Sequence, residues 1–184
     1  MPKVVDACRG HKSPLTGEQV IVVAAGGIFD GRGLAMALSM GASGVWVGTR
    51  FINAEEAGAG PYHQRLVMKA GYTDTVRTII YTGRPMRVFN TPFVNDWHTN
   101  KQDVIKRTTA KGKLPVPYGN ERNSVVEPLD DDAPVTEWMA RRAFLMGQAA
   151  GAIEDVLPAK TIVENMVSVA VEHIKVVNRM VCRL

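Results

Sequence analysis

The stretch VIVVAAGGIFDGRGLAMALSMGASGVWVGTRF, Val20–Phe51, decides the fold. It opens with a run of apolar residues, VIVVAA (20–25), that halts at Gly26 and Gly27. A strand apolar on both faces is what a parallel sheet uses when helices cover it from both sides. Asp30 then stands where an N-cap belongs, and GRGLAMALSM (31–40) carries Leu34, Ala37, Leu38 and Met40 near one helical face. Gly41 supplies a left-handed C-terminal cap. A second short apolar run, VWVG (45–48), again ends in glycine, followed by Thr49 and Arg50. This is a β–α–β crossover of roughly thirty residues, which puts both strand ends on one rim.

Bare glycine at two neighbouring strand ends has a chemical use. Backbone N–H groups approach an anion most closely where no side chain intervenes, and glycine also permits positive φ. A following helix N-terminus adds partial positive charge. Taken alone, Gly26 and Gly27 make a tight turn and Gly48 relieves packing. Taken together, the two turns match the phosphate site after strands 7 and 8 of a (β/α)8 barrel. A dinucleotide fold is excluded: GGIFDGRG lacks the G-x-G-x-x-G spacing, and the next strand ends in glycine instead of an acidic residue.

Outward from this unit, residues 3–10 end a helix at Gly10, and HKSPLTGEQ (11–19) is a polar loop. Thr49 caps a short helix over RFINAEEA, and Pro61 starts another that runs to Lys69 and closes at Gly71. TVRTIIYTG (75–83) alternates as a strand does, RPMRVFNTPFVNDW (84–97) is irregular with two prolines, and NKQDVIKRTTAKG suits a helix. LPVPYGNERN and Asp130–Asp132 are loop-like, whereas residues 135–150 and 159–182 are helical. In the last helix Ile162, Val163, Met166, Val167, Ala170, Ile174, Val177 and Val181 recur at helical spacing, as a core stripe or a homodimer interface.

Composition sets the remaining bounds. The 184 residues are 46% hydrophobic and 22% charged, with a net charge of +4, which describes an ordinary globular protein and not a nucleic-acid platform. The basic residues Lys101, Lys106, Arg107, Lys111 and Lys113 spread around a helix as a solvated face. Asp130–Asp132 lacks the alternation of a calcium loop, and no Cys/His spacing suggests zinc or another metal. Cys8 and Cys182 read as free thiols, and no apolar run reaches membrane-spanning length, so the expected location is cytoplasmic.

The segment VVAAGGIFDGRGLAMALSMGASGVWVGTRF resembles nitronate monooxygenases, the 2-nitropropane dioxygenase family, as do YTGRPMRVFNTPFVNDW (81–97) and FLMGQAAGAIEDVLPAKTIVENMV (144–167). The resemblance implies an α/β fold. This chain would form the C-terminal part of a (β/α)8 barrel, its last two strands lying in residues 1–57. A smaller lid-like segment follows over 58–134, and helices packing on the barrel over 135–184. It implies FMN, with Gly26, Gly27, Gly48 and Thr49 around its phosphate. Arg50 is a candidate counter-charge or a surface ion-pair partner, Arg84 and Arg87 are candidates to reach an anionic ligand, and Trp46 and Val47 are read as packing residues.

The implied reaction is oxidation of an alkyl nitronate by O2 to a carbonyl compound and nitrite. The family's catalytic histidine lies upstream of the phosphate motif, and none of His11, His63, His98 or His173 fits that role. The expectation is therefore the C-terminal half of the enzyme, binding flavin poorly and inactive alone. The alternatives are a flavin-dependent enoyl reductase-like barrel enzyme and a non-catalytic truncated fragment.

Overall fold

The computed structural model describes residues 1–116 and 141–182. The part of the loop beyond residue 116, Asp130–Asp132 and the first residues of the 135–150 helix lie outside them. The chain divides into two units, one of Met1–Ala57 with Val156–Leu184, the other of Gly58–Asp155.

In the first unit a short helix, α1 (Pro2–Cys8), leads through a polar loop into β1 (Val23–Ala25). The turn after β1 feeds α2 (Gly31–Ser39), and the chain returns as β2 (Gly44–Trp46) and a single helical turn, α3 (Thr49–Ile52). The start of α2 is built locally: the Asp30 carboxylate accepts the Gly33 amide at 2.8 Å and holds Arg32 at 3.1 Å. At its end Gly41 takes φ +89, the left-handed stop expected of it.

β1 and β2 pair in parallel, with Val23 opposite Gly44, Ala24 opposite Val45 and Ala25 opposite Trp46. The chain re-enters this unit at Leu157, whose N–H donates to Asn53 O at 3.2 Å while its carbonyl accepts from Glu55 N at 3.0 Å. It ends in α7, our label for the helix Ala159–Val181. The core gathers Ala24, Ile28, Ala37, Ala42 and Ala54 against Ile162 and Met166.

Two expectations are corrected here. The strand is three residues long, not six, and only one of its faces is covered: Ala24 is buried, while Ile21 and Val23 stand 70% and 47% exposed. The stripe on α7 is core only at Ile162, Met166 and Ala170, which meet α2. Val163, Val167, Ile174, Val177 and Val181 are exposed.

The second unit contains α4 (Pro61–Lys69), β3 (Thr75–Thr78), β4 (Met86–Phe89), α5 (Pro92–Asn100) and α6 (Gln102–Thr109). Strands β3 and β4 form an antiparallel hairpin with Arg77 opposite Arg87. Its core is Ile80, Tyr81, Val88, Val94 and Ile105. The stretch read as irregular holds β4 and α5. Thr91 Oγ1 accepts the Val94 amide at 3.2 Å with Pro92 at the first helical position, a start signal hidden behind the prolines.

Residues 143–147 are not helical. Phe144–Met146 runs beside β4, with Phe89 N donating to Phe144 O at 2.9 Å and Met146 N to Arg87 O at 3.2 Å. Phe144 and Met146 are buried and Leu145 between them is exposed, a period of two that suits extended chain. A 3-10 turn, Gln148–Ala152, follows.

The α2–α7 contact depends on the absence of one side chain. A Cβ on Gly31 would stand 2.5 Å from Met166 O, 2.6 Å from Val169 Cβ and 2.7 Å from Ala170 N. Gly31→Ala is therefore expected to cost about 1–3 kcal/mol by overpacking. The thermal midpoint should fall by roughly 4–8 °C per kcal/mol. An unchanged midpoint would show that the helices do not meet this closely.

Candidate functional site

Because β1 and β2 are parallel and Ala25 faces Trp46, the residues that follow leave the sheet at the same edge. Gly26 and Gly27 take φ +89 and +73, left-handed values that only glycine adopts cheaply, so their own backbone accounts for them. Gly48 is different. It caps α3 at φ −106, ψ −71, a right-handed helical conformation open to any residue. All three glycines are exposed, and a Cβ built on any of them meets no atom within 4 Å. Neither strain nor crowding within the chain explains why position 48 is bare.

Thr49 does not cap this helix as expected: Gly48 is the cap, and Thr49 is half-buried at the first position of α3, which ends at Ile52; both Thr49 and Arg50 already have a partner within the chain. Arg50 is 7% exposed, which removes it from the surface ion pairs where the sequence had put it. The positive end of α2 is also engaged, since the Asp30 carboxylate takes the Gly33 amide. An anion on this rim would be held by glycine amides more than by a helix dipole.

Trp46 was missed. On β2 the side chains alternate: Val45 and Val47 pack on the core and Trp46 does not. Its indole is 74% exposed. The signal was available in the period-two pattern around the buried Ala24.

None of the four histidines belongs to the two glycine turns. His11 is exposed in the polar loop, and His173 lies on the exposed half of α7. His98 sits on α5 with Nε2 buried and unpartnered. His63, on α4, donates from Nε2 to Leu145 O at 2.9 Å and lies edge-on to Phe144. Burial pushes the His63 pKa below its ordinary 6.5; the bond to Leu145 opposes this and nearby Arg142 adds to it. Arg87, a candidate anion ligand, donates Nη1 to Thr75 O and Oγ1, each at 3.2 Å. Arg84 is exposed in the hairpin loop. Lys101, from the basic set, pairs with Asp96 and lies 5.2 Å from the Trp97 ring centroid. Among the described residues no group of three His, Cys, Asp or Glu could hold a metal, and no helix is long and apolar enough to cross a membrane.

A crossover unit whose paired parallel strands both end in open glycine turns defines an α/β protein with a bare main-chain rim. The family is narrower than that class. The sequence model described as Nitronate monooxygenase matches residues 1–168, and the chain belongs to the nitronate monooxygenase family. A protein named "Probable nitronate monooxygenase" from Staphylococcus haemolyticus is 42% identical over 51% of this chain and 24% of its own length. A 5-hydroxy-7a-methyl-1-oxo-octahydro-1H-indene-4-carboxyl-CoA dehydrogenase of Mycobacterium tuberculosis is 28% identical over 98% of this chain and 56% of its own.

Among solved structures, FabK from Thermotoga maritima matches with TM-score 0.64 at 26% identity, covering 97% of this chain and 50% of that one. Nitroalkane oxidase from Streptomyces ansochromogenes shares the fold, with TM-score 0.58 at 23% identity over 88% and 42% of the two chains. The chain thus spans between a quarter and somewhat over half of the length of these relatives.

Two stability experiments check this geometry. Gly27→Ala must force a left-handed backbone and should cost about 1–2 kcal/mol, whereas Gly48→Ala should leave stability within about 0.5 kcal/mol. Equal losses in urea melts would mean that position 48 is bare for structural reasons. For His63 the folded pKa lies below the unfolded 6.5, so below 6.5 the unfolded chain binds the proton more readily. Stability should therefore rise with pH through the window up to 6.5 and level off above it. His63→Gln should flatten that component; an unchanged slope would contradict the assignment.

Proposed function

We propose that this chain supplies the FMN-phosphate-binding part of an enzyme that oxidises alkyl nitronates with O2 to a carbonyl compound and nitrite. The observation that carries this reading is Gly48, bare where neither its backbone conformation nor any neighbouring atom requires it. It lies on the same rim as the open Gly26–Gly27 turn. Family membership supplies the chemistry that such a rim would serve.

The main-chain amides of Gly26, Gly27 and Gly48 would hold the phosphate, with Thr49 beside them at the start of α3. The open space over each glycine fits a group that needs close backbone approach. Hydrogen bonds to a charged group contribute about 1.5–3 kcal/mol each, so three such amides would supply a sizeable share of the phosphate's binding. When bound, FMN supplies the electron-accepting chemistry, and the protein binds and orients it. The rim would hold one end of the cofactor. No residue of this chain is assigned to proton transfer: the four histidines lie outside the rim turns.

A second reading rests on coverage. The CoA-dehydrogenase relative aligns over 98% of this chain and FabK over 97%, as fully as the Nitronate monooxygenase model, which matches residues 1–168. Under it the same rim holds the same cofactor in an enoyl reductase-like enzyme acting on a thioester. Nitrite release from a nitronate under O2 distinguishes the first reading from reductant-dependent turnover of an enoyl thioester.

The phosphate claim is tested by equilibrium dialysis with FMN and riboflavin, which differ only in that group. The chain should prefer FMN by at least roughly tenfold, as one lost charge-assisted bond requires. Gly48→Val should abolish the preference without lowering the melting midpoint. Riboflavin bound as well as FMN would refute the rim.

A further inference from the structure

We propose that Trp46 is a platform on which the flat ring of the bound cofactor rests. The inference builds on the FMN reading above and adds a residue to it. The sheet of β1 and β2 has two unlike faces. Ala24, Val45 and Val47 turn toward the core shared with α2 and α7. Val23, Ala25 and Trp46 occupy the other face, and all three are exposed. The neighbours of Trp46 there are small: its cross-strand partner is Ala25, and Gly44 lies two residues back on its own strand.

An indole is among the costliest apolar groups to leave in water, since it buries about 150–250 Å² when covered. At 74% exposed, Trp46 is left uncovered by the described residues of this chain. Its place relative to the rim is specific. It precedes Gly48 by two residues and pairs with the residue immediately before Gly26. Two strand residues span roughly 7 Å. In FMN a five-carbon ribityl chain separates phosphate from ring, so a phosphate gripped at the rim leaves the ring within reach of this strip. The isoalloxazine system is flat and electron-poor, the indole flat and electron-rich, and such pairs favour offset stacking.

The test uses the full 184-residue chain with FMN as the probe, and reads tryptophan fluorescence lifetimes, which inner-filter absorption by flavin does not distort. Three tryptophans emit, Trp46, Trp97 and Trp138. FMN should shorten the lifetime of one component in the wild type, and that component should be missing from Trp46→Phe. Trp46→Ala should bind FMN roughly tenfold more weakly in dialysis, the scale of one lost stacking contact. Because the side chain is exposed, both variants should melt like the wild type; if the alanine variant misfolds, the phenylalanine lifetimes decide alone.

FMN retained with the same quenching in Trp46→Phe would overturn the inference and leave the phosphate rim standing. Failure of the wild type to retain FMN at any concentration would overturn both. Blue-shifted, concentration-dependent Trp46 emission before flavin is added would show that a second copy of the chain covers the indole, and would also overturn the inference.

Discussion

The parallel pairing of Val23–Ala25 with Gly44–Trp46 is the constraint on which the rest depends. Antiparallel neighbours would send their ends to opposite edges. Parallel ones deliver both C-terminal ends to one, and only then do Gly26, Gly27 and Gly48 share a rim. Parallel strands need a crossover, and here it is α2, held down by α7. That clamp relies on main chain meeting side chain at Gly31, where no Cβ fits. The route from Gly31 to the rim is short: the same turn that ends β1 begins the helix that α7 secures.

The pairing also gives the sheet two sides with different tasks. One side is packed by two helices and closes with small residues, Ala24, Ala37 and Ala42. The other carries Val23 and Trp46 in the open. A surface this apolar beside a bare backbone edge suits a ligand with an anionic tail and a flat apolar body, which is the shape of a flavin mononucleotide. Asp30 is spent on the helix cap and Arg32, and Arg50 is buried. The selectivity proposed for the rim comes from amide geometry, which does not titrate.

Much of this was legible in the sequence where local chemistry acts alone. The Asp30 cap, the Gly41 stop, the Pro61 start and the long final helix follow from residues that dictate their own conformation. The Gly26–Gly27 turn was legible for the same reason. What could not be read depended on partners distant in sequence. Strand β4 is stabilised by β3 on one side and by Phe144–Met146 on the other, so its four residues look irregular until both neighbours are present. The apolar run at 143–146 suited a helix by composition, and pairing with β4 made it extended. Trp46 was read as packing because apolar strands are usually covered on both faces, and this one is covered on one. Val177 and Val181 have helical spacing, yet α2 reaches only as far as Ala170 along α7.

The central claim concerns three backbone amides, and their resonances report on it directly. In a ¹⁵N-labelled sample of the chain, titration with inorganic phosphate and then with FMN should move the Gly26, Gly27 and Gly48 amide protons downfield together along one saturation curve. If those three signals stay fixed while other amides follow the ligand, or if they respond with unrelated affinities, the rim does not hold a phosphate.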